Sequence, residues 1–127
     1  LGMQLLMEKS DEFGSHIGLG LIKGNVTKLN NKEYYPIPHI GWSQIELEES
    51  SLKKNSILEN IKDRSYFYFI HSFQVKTNLK KETLSFTNYG DNCFSSIINS
   101  ENIFGTQFHP EKSGKVGERL LSNFLKK

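Results

Sequence analysis

Residues 66–73, Tyr66-Phe67-Tyr68-Phe69-Ile70-His71-Ser72-Phe73, decide how the rest of the chain is arranged. Five aromatic and β-branched residues in a row with no polar break predict a strand buried on both faces, at the centre of a sheet, with His71-Ser72 at its end. Toward the C-terminus, residues 73–76, 83–89 and 93–98 alternate or run apolar and predict further strands. They are separated by Asn78-Leu79-Lys80-Lys81-Glu82 and by Gly90-Asp91-Asn92, the second a good tight-turn sequence. Residues 103–108 predict one more short strand. Ser113 or Gly114 then opens a final helix with Val116, Leu120, Leu121, Phe124 and Leu125 on one face and Lys126-Lys127 against its dipole.

Toward the N-terminus the pattern is less regular. Residues 52–62 carry Leu52, Ile57, Leu58 and Ile61 among charges, which suits a short amphipathic helix or turn at the edge. Residues 34–42 are expected to be extended, because each proline pushes its predecessor out of the helical region, with Gly41 allowing a sharp turn. Residues 18–29 suit two short strands or one bent one. The opening Leu1-Gly2-Met3-Gln4-Leu5-Leu6 suits a short helix that ends near Ser10-Asp11. The expected architecture is a set of strands mostly adjacent in sequence, capped by helices at both ends, without internal repeats.

At 127 residues the chain suits one domain, and its 36% hydrophobic and 12% aromatic content describes a protein that folds in water. Sixteen basic and fourteen acidic residues are spread along it, with only the short clusters Lys53-Lys54 and Lys80-Lys81 standing out within the chain, so the basic stripe that nucleic-acid binding needs is missing. No signal-peptide or transmembrane run is expected from these residues. The single cysteine, Cys93, excludes an internal disulfide framework and a multi-cysteine zinc site, and it fits a reducing cytoplasm.

Chemistry concentrates in Gly105-Thr106-Gln107-Phe108-His109-Pro110-Glu111-Lys112-Ser113. In an extended segment, residues two apart share a face, so Glu111 can hold the imidazole of His109. An imidazole oriented by a carboxylate is what a thiol or hydroxyl nucleophile needs as general base and acid. On the residues alone a loop histidine beside a proline and a glutamate is more often structural or solvated, and no nucleophile stands out. Cys93 sits in a strand-like run with neither a glycine elbow nor a helix N-terminus to lower its pKa.

The stretches LGMQLL, PIPHIGWSQI, YFYFIHSF, NYGDNCFSSI and FGTQFHPEKSGKVGERLLSNFL together span nearly the whole chain. In them the sequence resembles the class I, triad-type glutamine amidotransferases, and among these the glutaminase subunits of imidazole glycerol phosphate synthases. The Gln-Phe-His-Pro-Glu run marks the broad class; the Pro-His-Ile-Gly-Trp block and the His-Ser pair narrow it to the histidine-pathway subunits and their near paralogues. The resemblance implies a flavodoxin-like three-layer α/β fold, whose first strands, oxyanion loop and nucleophile elbow precede LGMQLL. Residues 1–127 are thus expected to be the C-terminal portion of one amidotransferase domain, beginning just after the family's nucleophile in Cys-Leu-Gly-Met-Gln, and to be unstable alone.

By the same resemblance, His109 is the triad base and Glu111 its orienting acid. The Leu1 amide is an oxyanion-hole donor, Gln4 a glutamine contact, and His71, Ser72 and Phe73 the segment holding the substrate's amino-acid end. His39, Ile40 and Trp42, with Tyr68 and Lys112, match the face that docks on a cyclase subunit; on composition alone the preferred readings are a half-buried anchor for Trp42, a core aromatic for Tyr68 and a solvent charge for Lys112. His16 matches no motif and is expected on a surface loop. The implied activity is hydrolysis of glutamine to glutamate and ammonia for histidine biosynthesis, in a cytoplasmic heterodimer, with no cofactor or metal and no nucleic-acid or membrane partner. The alternatives are a paralogue supplying ammonia for surface-sugar modification and a non-catalytic interaction subunit without a nucleophile.

Overall fold

The computed structural model describes residues 2–49 and 56–127. In chain order its elements are helix α1 (Gly2–Leu5), strands β1 (Met7–Ser10), β2 (His16–Ile17), β3 (Ile22–Lys28), β4 (His39–Gln44), β5 (Glu46–Leu47), β6 (Tyr66–His71), β7 (Phe73–Thr77), β8 (Thr83–Tyr89), β9 (Asn92–Ser100) and β10 (Ile103–Thr106), then helix α2 (Gly114–Leu125). Short 3-10 turns occupy Ser56–Leu58, Lys80–Glu82 and Pro110–Lys112. The strands form three ladders, in the orders β2-β1-β3-β7, β10-β9-β8-β5 and β4-β6. Among the described strands only β1 and β3 pair in parallel; the other pairs are antiparallel.

Residues 66–70 do form a strand, but it is not buried on both faces. Phe67, Phe69 and His71 point inward, whereas Tyr66 and Ile70 are exposed and Tyr68 is half-buried. The reason is its partner: β6 pairs with β4 in a two-stranded ribbon, and alternation sends every second side chain of each strand outward. The inner face feeds a core of Ile45, Leu58, Phe67, Phe69, Leu84, Phe94, Ile97, Phe108 and Leu120. A second core, under α1, gathers Met3, Met7, Ile22, Val26, Val75 and Ile98.

The opening helix is shorter than expected. It spans only Gly2–Leu5, and Met7–Ser10 turns into β1, because Met7 pairs with Ile22 and Ser10 with Val26 of β3. Gly41 makes no turn; it lies inside β4 opposite Phe69, at a φ of 130° that only glycine adopts without strain. Leu52 and Lys53-Lys54 lie outside the described residues, while Ile57, Leu58 and Ile61 of the same predicted segment are buried.

Helix α2 also uses a different face from the expected one. Gly117, Leu120 and Asn123 are buried and Val116 packs against the core, but Leu121, Phe124 and Leu125 are exposed. Asn123 is drawn inward because its amide donates to the carbonyls of Ile57 at 2.8 Å and Glu59 at 2.7 Å. Gly117 permits the helix to sit tightly on the preceding turn: a Cβ there would stand 2.0 Å from the Pro110 carbonyl oxygen. No described helix is long and apolar enough to cross a membrane.

Candidate active site

The turn after β10 is held in place by β6. His109 donates its backbone N–H to the Tyr68 carbonyl at 2.9 Å. The buried Ser113 hydroxyl accepts from the Tyr68 N–H at 3.0 Å and donates to the His109 carbonyl at 2.7 Å. These three bonds leave the His109 backbone extended and the following Pro110–Lys112 turn fixed, with Pro110 at a position where its missing N–H costs nothing. Ser113, expected only as a helix start, is therefore part of the frame; its signal in the sequence is a serine directly before the helix.

On that frame the His109 Nδ1 lies 2.8 Å from Glu111 Oε1. A carboxylate can only accept, so Nδ1 carries the hydrogen and Nε2 is the nitrogen left to exchange a proton. Burial works to raise the Glu111 pKa, but a hydrogen bond from its own backbone N–H, the His109 hydrogen bond and the charges of His109 and Lys112 outweigh it and hold the carboxyl below its usual range. Glu111 is thus ionised at neutral pH, as an orienting acid must be.

His109 and Glu111 line an open cleft of about 430 Å³, together with Gly2, Met3 and Leu6, Ile70 and residues 104–108. Gly105 brings the two sides together, since a Cβ there would lie 2.7 Å from Met3 Cγ. The N-terminal turn of α1 and the His-Glu pair consequently face one space, although more than a hundred residues separate them. Leu1 lies outside the described residues. Gln4, expected to contact glutamine, is not among the residues lining this cleft; it is buried, its amide donating to the Phe73 carbonyl at 3.3 Å and to Gln107 Oε1, a cleft residue, at 3.4 Å.

Ser72 and Phe73 bridge β6 and β7, with the Ser72 carbonyl accepting from the Leu29 N–H at 2.9 Å. His71 is buried and does not present its ring to the cleft; its Nδ1 lies 2.8 Å from the Phe73 carbonyl and its Nε2 2.8 Å from His39 Nδ1. His39, expected on a docking face, is only 1% exposed, stacked between Phe69 and Tyr89. Alternation along β4 turns His39 inward, away from the docking face expected for it, because Ile40 and Trp42 point the other way and are 58% and 53% exposed. Burial first, then the neighbouring His71, lowers the His39 pKa to about 4. Burial likewise lowers that of His71 to about 4, against the opposing pull of its bond to Phe73.

The outer face of the β4–β6 ribbon sets Ile40 opposite Ile70, Trp42 opposite Tyr68 and Gln44 opposite Tyr66. Trp42 and Tyr68 meet edge to face at 5.8 Å between ring centres, and Lys112 is exposed on the adjoining turn. Cys93 is exposed on the otherwise mostly buried β9, and desolvation with the carboxylates of Glu46 and Glu48 raises its pKa against the pull of Lys76, the opposite of an activated thiol. His16 is exposed and bonded to the Phe13 carbonyl at 2.7 Å, in β2 rather than in a loop.

Compared with known proteins, residues 1–127 match the family described as glutamine amidotransferase class-I. The chain belongs to that family. As an amidotransferase of class I it has the mixed α/β content expected of the fold, with strands outnumbering helices among the described residues. It is 45% identical over 125 residues to the imidazole glycerol phosphate synthase subunit HisH of Methanocaldococcus jannaschii, covering 98% of this chain and 60% of that one. It is 49% identical over 127 residues to HisH of Buchnera aphidicola subsp. Acyrthosiphon pisum, covering 98% and 60%. With HisH 1 of Legionella pneumophila (strain Lens) the identity is 42% over 130 residues, covering 98% and 61%. This amidotransferase chain thus spans about three fifths of the length of the curated relatives it matches.

Proposed function

We propose that the full-length protein carrying this chain is the glutaminase subunit of an imidazole glycerol phosphate synthase, acting in the cytoplasm on glutamine and delivering ammonia to a cyclase partner in histidine biosynthesis. Residues 1–127 form the C-terminal part of its amidotransferase domain. The observation that carries the reading is the His109–Glu111 pair, 2.8 Å apart, lining one cleft with Gly2 and Met3 of α1. The similarity to three HisH subunits at 42–49% identity supports the choice of pathway.

In this reading a cysteine directly before Leu1 supplies the nucleophile. Its thiol first gives its proton to His109 Nε2; the thiolate sulfur then attacks the side-chain amide carbon of glutamine, and the Leu1 amide donates to the oxygen as negative charge develops there. The C–N bond then breaks while His109 Nε2–H gives its proton to the departing nitrogen, so ammonia leaves and a thioester remains. Water next attacks the thioester, losing its proton to the now neutral His109, and glutamate and the thiolate are restored. Glu111 keeps the Nδ1 hydrogen in place throughout and stabilises the imidazolium. Gln4 and the backbone of Ser72-Phe73 hold the amino-acid end of glutamine, and Ile40, Trp42, Tyr68 and Lys112 present the docking face.

The test is glutamate release from glutamine by the full-length protein mixed with its cyclase partner. Turnover that depends on His109 and rises when the partner is added is the expected result. Partner binding without any glutamate release contradicts it.

A further inference from the structure

His39 and His71 stand directly opposite each other on the buried face of the β4–β6 ribbon. Each ring nitrogen has one partner. Ser43 Oγ is 2.9 Å from His39 Nε2, His39 Nδ1 is 2.8 Å from His71 Nε2, and His71 Nδ1 is 2.8 Å from the Phe73 carbonyl oxygen. A carbonyl only accepts, so His71 Nδ1 bears the hydrogen and, in a neutral ring, Nε2 is the acceptor. His39 must then donate from Nδ1 and accept from the Ser43 hydroxyl at Nε2. Every donor and acceptor in the chain has a single assignment, and both rings are neutral Nδ1–H tautomers.

The two ends of this chain matter. At one end the Phe73 carbonyl also accepts from the Gln4 amide, which reaches on to Gln107. At the other, Ser43 and His39 alternate along β4 with Trp42 and Ile40, whose side chains form the exposed apolar face. An apolar pair in place of the histidines could hold the two strands together, but it would not aim a donor at the Phe73 carbonyl. Stacking of His39 on Phe69 of β6 and Tyr89 of β8 fixes the plane of the ring, which keeps its Nδ1 aimed at His71 Nε2.

We propose that His39 and His71 form a tautomer-locked positioning pair that sets the Phe73 carbonyl, and through it Gln4, so that the glutamine site is held in register by the strand carrying Ile40 and Trp42. The proposal rests on the glutaminase reading above. Neither histidine touches the reacting atoms; both act through the backbone of Phe73.

The experiment measures glutamine KM and kcat for the full-length protein with its cyclase partner, in wild type and in His39→Leu, His39→Asn, His71→Leu and His71→Asn. An asparagine amide reaches roughly the place of Nδ1 and keeps a donor there. Losing the aimed hydrogen bond is expected to raise KM about tenfold in the leucine variants, with the loss falling on KM rather than kcat, and the asparagine variants are expected to recover most of it. Nitrogen-15 NMR of the wild-type imidazoles is expected to show both rings as Nδ1–H tautomers. A KM within about twofold of wild type in the leucine variants, equal losses in the leucine and asparagine variants, or an Nε2–H tautomer at either ring overturns the proposal. Should the leucine variants fail to fold, the asparagine variants and the wild-type tautomers still decide. A wild type that releases no glutamate overturns the glutaminase reading itself, which is a different outcome from an active wild type whose KM ignores these residues.

Discussion

Acidification from about pH 7 to about pH 5 is expected to weaken the fold through its two buried histidines. Both have pKa values lowered to about 4 in the folded protein, against 6.5 when exposed, chiefly because burial penalises the charged ring. The sign follows from which state binds the proton. As pH falls through 6.5 the unfolded chain takes up protons that the folded chain refuses, so stability is lost between about 6.5 and about 4 and levels off below, where the folded rings also titrate. At about pH 5 the linkage relation gives a loss of about 2 kcal/mol for each ring, hence about 4 kcal/mol for the pair. Urea unfolding of the full-length protein at the two pH values measures it, with a His39→Phe/His71→Leu double variant as the reference in which exposed histidines and carboxylates still titrate. The wild type should lose about 4 kcal/mol more than the variant on acidification. Parallel losses in the two proteins would refute both the neutral assignment and the hydrogen-bond chain built on it.

Other perturbations test separate parts of the structure. Glu111→Gln removes the charge that fixes the His109 tautomer and should lower kcat for glutamine hydrolysis by about 10²–10⁴-fold with little change in KM, read by steady-state glutamate release. Gly117→Ala places a Cβ 2.0 Å from the Pro110 carbonyl oxygen, and the resulting overpacking should cost about 1–3 kcal/mol in a urea melt even though alanine favours helix. Asn123→Ala removes the bonds to the Ile57 and Glu59 carbonyls and should destabilise the fold by about 1–3 kcal/mol in the same assay. On the proposed reading, Trp42→Ala, on the exposed ribbon face, should leave the melt nearly unchanged but weaken binding of the proposed cyclase partner by about tenfold or more in a calorimetric titration.

The hairpin of β8 and β9 was legible because apolar residues run through both strands and Gly90-Asp91 marks the turn between them. The start of α2 was legible from Ser113-Gly114. The contact between His109 and Glu111 was expected from an extended segment, but the structure makes it across the 3-10 turn of Pro110–Lys112, a backbone form that the residues two apart did not reveal. What escaped reading depends on partners remote in sequence. Met7-Glu8-Lys9-Ser10 has one apolar residue, and only its pairing with β3 makes it a strand. An outward tyrosine and an inward phenylalanine look alike in residues 66–70, so the ribbon's exposed face was hidden until β4 was seen beside it. The same alternation turned His39 inward, away from the Ile40 and Trp42 with which its motif groups it. Asn123 interrupts the apolar stripe of α2, and nothing local signals that two carbonyls wait beneath it.

The central claim is that His109 and Glu111 serve a thiol at the head of α1, and covalent labelling reads it directly. The full-length protein is treated with a chloroketone analogue of glutamine and the modified peptide is mapped by mass spectrometry, in wild type and in His109→Ala. The account predicts a label on a cysteine immediately before Leu1, formed at least about tenfold more slowly in the variant. A label on Cys93, or one whose rate does not depend on His109, contradicts it.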